Sequence, residues 1–229
     1  MGKARQAGWN TRRKGRAMIA APRSLALAIM LALGLPGCLA HAEDPRPAPV
    51  PRAAQASPDE AAALHLADLI NAYRARHGLP RVPFSPLLTQ VARAHVQDMA
   101  AQGEGGLAVF DRRDPESGQP CNAHSWSDGG EWSPVCYTAD GRYAQAIWSK
   151  PREITNGAYP AMGFEIGAWD NFGITPEKAL QYWQESPSHD AVIRESGAWK
   201  GSNFKAMGVA VQGSFAYVWF GKVADAVTE

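Results

Sequence analysis

The C-terminal end of the chain predicts two adjacent antiparallel strands, and this prediction constrains the fold more than any other stretch. Apolar residues alternate over residues 207–211, a Gln-Gly-Ser turn follows at residues 212–214, and an aromatic-rich run returns over residues 215–223. Alternation with a period of two is typical of a half-buried strand, and a short connection joins neighbouring antiparallel strands. Residues 162–167 alternate in the same way and predict a further strand. Because the strand signals follow several helical segments, we expect an α+β fold rather than a parallel sheet.

Three segments carry start signals for helices. Ser57-Pro58, Ser85-Pro86 and Thr175-Pro176 each place a capping hydroxyl before a proline that suits the first helical position. Apolar residues follow each start at helical spacing. The third helix must stop before Pro187, because a proline disfavours helical geometry in the residue that precedes it. A new helix is expected to begin at this break.

Residues 1–42 have the pattern of a secretory signal peptide. Seven Lys and Arg and no acidic residue precede an unbroken apolar run at residues 25–35, which is too short to span a bilayer. The segment offers two processing sites: a lipobox-like sequence that would acylate Cys38, and a small-x-small site that ends at Ala42. We therefore expect an exported protein, which is either periplasmic or extracellular, or anchored to the envelope as a lipoprotein through Cys38.

The rest of the chain divides into a proline-rich linker at residues 43–57 and one domain at residues 58–229. The linker has no apolar periodicity, whereas the domain is long enough to bury a core of its own. Removal of residues 1–42 takes the net charge from +1 to −6, because the removed segment holds seven basic residues and no acidic one. An acidic domain lacks the basic patch that nucleic-acid binding requires. We expect no nucleic-acid partner, and membrane contact only through an anchor at Cys38.

The region from residue 103 to residue 140 predicts a long irregular loop, because it is rich in Gly, Asp, Pro and Ser. Cys121 and Cys136 lie within it, and an even pair of cysteines in an exported protein is expected to form a disulfide. A two-cysteine metal site is the alternative, although the spacing matches no common zinc pattern. A short helix is expected from about residue 140, with Pro151 ending its pattern.

Three titratable residues stand out by their positions. His95 lies on the apolar face of the second helix, where a histidine is more often a hydrogen-bonded core residue than a ligand, so we place it outside the site. Glu165 projects from a predicted strand between two glycines, which leave room for another chain or a ligand. His189 follows the break at Pro187, either aimed into a cleft or exposed at a helix corner.

Several motifs, taken in order, resemble those of the CAP superfamily of cysteine-rich secretory, antigen 5 and pathogenesis-related proteins. The nearest branch is the bacterial exported one, whose members are also called SCP domains. The resemblance extends over roughly residues 60–224. The matching stretches are Leu69 to Leu79 and Ser85 to Met99 in the opening helices, His124-Ser125, Gly163 to Ile166, Trp183 to His189, and Met207 to Val211 in the closing strand. Glu165 is similar to the glutamate of the family's Gly-Glu-Asn-Ile motif, with Ile166 where asparagine is usual.

The resemblance implies a three-layer α-β-α sandwich with a central antiparallel sheet. It also implies a cleft that gathers His124, His189 and Glu165, with Trp183 as an anchor of the cleft wall. In some members of the family the two histidines bind a divalent metal such as zinc. The second family glutamate falls on a serine in this chain, which leaves Glu185, one position away, as a weak catalytic candidate.

The resemblance leaves functions of three classes to be compared. The leading hypothesis is a non-catalytic binding module whose ligand-binding residues His124, Glu165, Trp183 and His189 take a small or lipidic ligand or an envelope component. Two imidazoles without a third strong ligand predict weak, reversible metal binding. The alternative is a metal-assisted hydrolase of peptide or envelope polymer that uses His124, Glu165 and His189. The third hypothesis is a stress or adhesion factor that acts through its surface. No motif in the sequence supplies an activated nucleophile for catalysis.

Overall fold

The computed structural model describes residues 56–103 and 108–225. The predicted signal peptide, both of its processing sites and most of the linker lie outside the described residues and stay predictions. The elements are α1 (Pro58–Arg76), α2 (Pro86–Ala101), α3 (Ala108–Asp111), α4 (Ala144–Trp148), α5 (Lys150–Ile154), β1 (Gly163–Trp169), α6 (Pro176–Glu185), α7 (Pro187–Ile193), a 3₁₀ helix (Gly197–Trp199), β2 (Ala206–Gln212) and β3 (Phe215–Gly221). Within the described ranges, none of the helices combines the length and the apolar character needed to cross a bilayer.

The three predicted helix starts are confirmed, each with a side-chain cap. The backbone N–H of Glu60 donates to the Ser57 hydroxyl at 3.2 Å in α1. The N–H of Leu88 donates to Ser85 at 2.9 Å in α2. The Thr175 hydroxyl likewise accepts a backbone N–H in α6. In each helix the proline follows the cap directly, where its missing N–H has no intrahelical partner to lose.

The strands form one antiparallel sheet in the order β1-β3-β2. The C-terminal hairpin is confirmed, with β2 and β3 paired in the register Val209 opposite Val218. Strand β1 lies on the other side of β3, with Glu165 opposite Trp219. The aromatic run returns as predicted, but pairing ends at Gly221 rather than continuing to Val223.

The sheet has helices on both faces, which confirms the α+β sandwich. Alternate residues such as Ile166, Val209 and Val218 are buried on one face, in a core shared with α1, α6 and α7. The other residues of the same strands, such as Tyr217 and Trp219, are buried on the opposite face against α2 and the irregular region. Because side chains alternate across a strand, one sheet serves two cores.

The segment between α2 and β1 differs in part from the prediction. It is irregular as expected, but it contains the short helix α3 and an isolated bridge between Trp126 and Val135. The Cys121–Cys136 disulfide is confirmed, with the two Cα atoms 5.0 Å apart. The short helix expected to stop before Pro151 is α4, which ends at Trp148. Pro151 lies in the first turn of a further helix, α5, which the sequence did not predict, and a proline is tolerated there for the same reason as in α1.

Candidate functional site

Glu165 is the centre of a buried group of three titratable side chains. Its side chain is only 1% exposed, and each carboxyl oxygen faces one imidazole. His95 Nδ1 lies 2.5 Å from Oε2, and His124 Nδ1 lies 2.6 Å from Oε1. Strand β1 directs Glu165 towards the α2 side of the sheet, because its neighbours Phe164 and Ile166 are buried in the core on the other side. The pairing of Glu165 with His124, which the resemblance implied, is thus present in the geometry.

His124 lies on the irregular region and is held there by several backbone contacts. Its own N–H donates to the side chain of Asn122 at 2.9 Å. The preceding residue, Ala123, accepts a hydrogen bond from the Tyr217 hydroxyl at 2.7 Å, which connects this loop to the sheet. The disulfide begins at Cys121, immediately before this turn. The His124 side chain remains 25% exposed, so it is the part of the group that faces solvent.

The prediction that His95 is a hydrogen-bonded core residue is confirmed, but its contact with Glu165 was not predicted. The residue is hydrogen-bonded and fully buried, as expected of a core histidine, but its main partner is Glu165. Its ring stacks between Trp126 and Tyr217, with both centroid distances 4.3 Å. The apolar spacing of α2 showed that His95 faces the core, and the alternation of β1 showed that Glu165 points away from its apolar neighbours. Sequence reasoning missed the contact because neither pattern shows on which face of the sheet α2 packs.

The room beside the glycines of β1 is filled by the protein's own side chains. A Cβ at Gly167 would lie 2.6 Å from Cε1 of Tyr217, the residue that stacks on His95. A Cβ at Gly163 would lie 2.7 Å from Cγ of Pro151. The interpretation that these glycines admit another chain or a ligand is therefore wrong, and Gly167 instead lets Tyr217 lie flat against the strand.

The contacts of Glu165 favour its ionised form. Burial raises the pKa of its carboxyl, but the charge of His95 and the hydrogen bonds from both histidines lower it by more, and the net pKa is below its ordinary value. An ionised carboxylate only accepts hydrogen bonds, so the Nδ1 atom of His124 must carry a proton. The hydrogen bond of the His124 ring is made through Nδ1, which leaves Nε2 as the nitrogen available to a ligand.

His189 is half-buried in the first turn of α7. Burial lowers the pKa of its imidazole below the ordinary value of 6.5, and the charge of His124 lowers it further. We define the cleft as the surface beside His124 and His189.

The remaining candidates occupy different environments. Trp183 is fully buried, and its indole Nε1–H donates to the carbonyl of Gly167 at 2.9 Å. Its hydrogen bond therefore fixes the position of α6 beside the cleft, and its buried side chain is not accessible to a ligand. Glu185 is exposed at the end of α6, where its carboxylate accepts a hydrogen bond from Gln181 at 2.9 Å. Neither is hydrogen-bonded to Glu165 or to the two cleft histidines.

The donor set does not fit a resident metal ion. Over residues 56–103 and 108–225, no group of three His, Cys, Asp or Glu side chains is placed to hold one. Both oxygens of Glu165 are engaged by imidazoles, so only two histidine nitrogens are left to coordinate an ion. A structural or catalytic zinc site needs at least three protein ligands. Metal binding by His124 and His189 stays a prediction of weak affinity, and no step below depends on it.

The match to a protein-family model agrees with the fold. Residues 67–222 match the model of the CAP cysteine-rich secretory protein family, and a search of curated proteins finds no match. Among solved structures, an extracellular protein containing a SCP domain from Bacillus anthracis is 19% identical with a TM-score of 0.42, covering 73% of this chain and 44% of its own. A cysteine-rich secretory protein from Staphylococcus aureus is 10% identical with a TM-score of 0.44, covering 72% of this chain and 40% of its own.

This chain thus spans less than half the length of either solved protein. The family match itself includes α2, β1, α6, α7 and the hairpin, which are the elements that position Glu165, Trp183 and His189. Since that match extends over more than half of the sequence, the chain belongs to the CAP, or cysteine-rich secretory protein, family.

Proposed function

We propose that this protein is an exported, non-catalytic binding module whose cleft beside His124 and His189 takes a small or lipidic ligand. One observation carries the proposal: both carboxyl oxygens of Glu165 lie within hydrogen-bond distance of an imidazole nitrogen, and the side chain is 1% exposed. A hydrolase that used Glu165 as a general base would need one of these oxygens within hydrogen-bond reach of a water. The geometry therefore supports a structural role for Glu165, as the residue that orients His124.

The cleft offers neutral hydrogen-bonding groups to a ligand. His124 presents Nε2, and the lowered pKa of His189 favours its neutral form at neutral pH. The ring of Tyr137 lies edge-on to His124, with the centroids 5.8 Å apart, and adds an aromatic edge. An unprotonated imidazole nitrogen accepts from hydroxyl or amide groups. A ligand with a neutral hydroxyl or amide head group fits these features better than a polyanion, which the net charge of −6 on residues 43–229 would repel.

Thermal shift on the mature protein tests the proposal with three probes: monoolein, chitotriose and zinc chloride. We expect monoolein or chitotriose to raise the melting temperature, and His124→Ala and His189→Ala each to abolish the shift. His65→Ala is the matched control, because His65 is exposed on α1 and pairs with Glu177 at 2.7 Å. No shift with either organic probe would count against the proposal, and a shift with zinc alone would favour weak metal binding by the histidine pair.

A turnover assay on the same probes separates binding from hydrolysis. Mass spectrometry of monoolein and chitotriose after incubation is expected to show no cleavage by the wild-type protein. Cleavage that Glu165→Gln and His124→Ala each abolish would overturn the non-catalytic assignment and support the hydrolase alternative.

A further inference from the structure

Both ring nitrogens of His95 face oxygen atoms that act as acceptors. Nε2 lies 3.2 Å from the carbonyl oxygen of Ser125, and a carbonyl oxygen cannot donate. Nε2 must therefore carry a proton. Nδ1 lies 2.5 Å from Oε2 of Glu165, so a proton lies between these two atoms as well. The question is whether this second proton belongs to the imidazole or to the carboxyl.

Two arrangements satisfy these contacts. In the first, His95 is an imidazolium that donates from both nitrogens, and Glu165 is a carboxylate. In the second, His95 is neutral and its Nδ1 accepts from a protonated Glu165. The first places an ion pair in the interior, which costs desolvation energy unless its surroundings compensate both charges.

Two aromatic rings and a buried carboxylate near His95 favour a positive charge on its ring. The faces of Trp126 and Tyr217 cover the two sides of the ring at 4.3 Å, and the negative face of an aromatic ring attracts a cation. Asp98 lies one turn along α2, is 2% exposed, and accepts from the backbone N–H of Ser127 at 2.8 Å. This second buried carboxylate adds negative potential on the α2 side.

Two other cations lie nearby, and neither is hydrogen-bonded to His95 or Glu165. The guanidinium of Arg112 donates to the backbone carbonyl of Trp126 at 3.1 Å. The ammonium of Lys150 lies 5.1 Å from the centre of the Trp126 ring, and it is paired with the Glu153 carboxylate at 2.7 Å. On the carboxylate side, the second oxygen of Glu165 accepts from His124 at 2.6 Å, which stabilises the ionised form. The contacts of both partners therefore favour the ion pair over the neutral pair.

We propose that His95 is a buried imidazolium that keeps Glu165 ionised and thereby holds His124 in the Nδ1–H tautomer, with the Nε2 lone pair directed to the cleft. His95 is then a positioning residue, because it acts on the cleft through Glu165 and touches no ligand. The part of this inference that concerns ligand affinity rests on the proposed function. The protonation states of the three side chains do not.

Nitrogen-15 NMR of the histidine side chains in the ligand-free wild-type protein tests the inference directly. At neutral pH we expect two protonated nitrogens in His95, and in His124 a protonated Nδ1 with an unprotonated Nε2. A neutral His95, or a His124 that is protonated at Nε2 and not at Nδ1, would overturn the proposal. Because the measurement needs neither a variant nor a ligand, its outcome is separate from that of the binding experiments.

The substitution His95→Gln tests the positioning role. Glutamine fills much of the same space and keeps an N–H donor, but it carries no charge. We expect His124 in this variant to populate both neutral tautomers, and its acylation by diethyl pyrocarbonate, which attacks the unprotonated nitrogen of a neutral imidazole, to slow several-fold. Peptide mass spectrometry reports the rate at each histidine separately, so exposed His65 is an internal control whose rate should not change.

The matched variant His65→Gln should leave the His124 tautomer and acylation rate as in the wild type. A His95→Gln protein that loses stability but keeps the wild-type tautomer and acylation rate of His124 would show that His95 is only structural, which contradicts the proposal. If His95→Gln does not fold, the wild-type spectra decide the question alone.

Discussion

Trp183 and Gly167 connect the helix before the cleft to the strand that carries Glu165. The Trp183 indole N–H donates to the Gly167 carbonyl at 2.9 Å, two residues beyond Glu165 in β1. The same helix, α6, ends at Ser186, where α7 begins and presents His189. One buried hydrogen bond thus fixes the helix corner of the cleft relative to its buried carboxylate.

The substitution Trp183→Phe should destabilise the protein by about 1–3 kcal/mol, because it removes this hydrogen bond and leaves a cavity in the core. Urea unfolding followed by fluorescence or circular dichroism measures the loss. Trp199→Phe is the matched control, since Trp199 is only partly buried and packs on Phe164 with ring centroids 5.1 Å apart. A loss at Trp183 no larger than the loss at Trp199 would contradict the anchoring role.

The disulfide should account for a further part of the stability of the irregular region. It joins residues separated by 15 positions, and cross-linking a loop of that length stabilises by about 3 kcal/mol in the chain-entropy model. The double variant Cys121→Ser/Cys136→Ser should therefore unfold at a clearly lower urea concentration than the oxidised wild type. Adding reductant should lower the wild-type midpoint to that of the variant and leave the variant unchanged. Equal midpoints for the oxidised wild type and the variant would show that the other contacts of the loop suffice.

Local sequence patterns were sufficient for most of the fold. The cap-proline pairs predicted where α1, α2 and α6 begin, because both the capping hydroxyl and the proline act within one helical turn. Alternation predicted β1 and the C-terminal hairpin. Helix α5 was not predicted, because a proline can follow the end of one helix or lie in the first turn of the next, and only the structure shows that α5 follows α4 within two residues.

The site was less predictable because its contacts join residues that are far apart in sequence. His95 and Glu165 are 70 positions apart, and no local pattern shows that α2 packs on the face of the sheet to which Glu165 points. The resemblance to a family supplied His124 and Glu165 as a pair, but the third member of the buried group was missed. The space beside Gly167 was misjudged for a related reason. Tyr217 lies opposite Gly167 only because β1 pairs with β3 in this register, and a local pattern within either strand does not predict that register.

Adding one methyl group at Gly167 should disturb the buried group through Tyr217. A Cβ there would lie 2.6 Å from the Tyr217 ring, so Gly167→Ala forces the ring to shift and disturbs its stacking on His95. Overpacking of this kind costs about 1–3 kcal/mol, which chemical denaturation measures. In a Tyr217→Leu background the same change should cost much less, because the ring is gone. Equal costs in the two backgrounds would contradict the proposed clash.

Acid should destabilise the protein through His189. Burial, and to a smaller extent the charge of His124, lowers the pKa of this imidazole in the folded state below the value of 6.5 that is ordinary for the unfolded chain. Between the lowered pKa of the folded state and pH 6.5, the unfolded chain binds more protons than the folded one. The stability that depends on neutral His189 is therefore present above pH 6.5 and is lost as the pH falls through the lowered pKa. An NMR titration should show His189 protonating below pH 6.5. His124→Ala should move the pKa upward only in part, because burial is the larger cause. A His189 that titrates at its ordinary value in the wild type, or a His124→Ala variant that restores the ordinary value in full, would contradict this account.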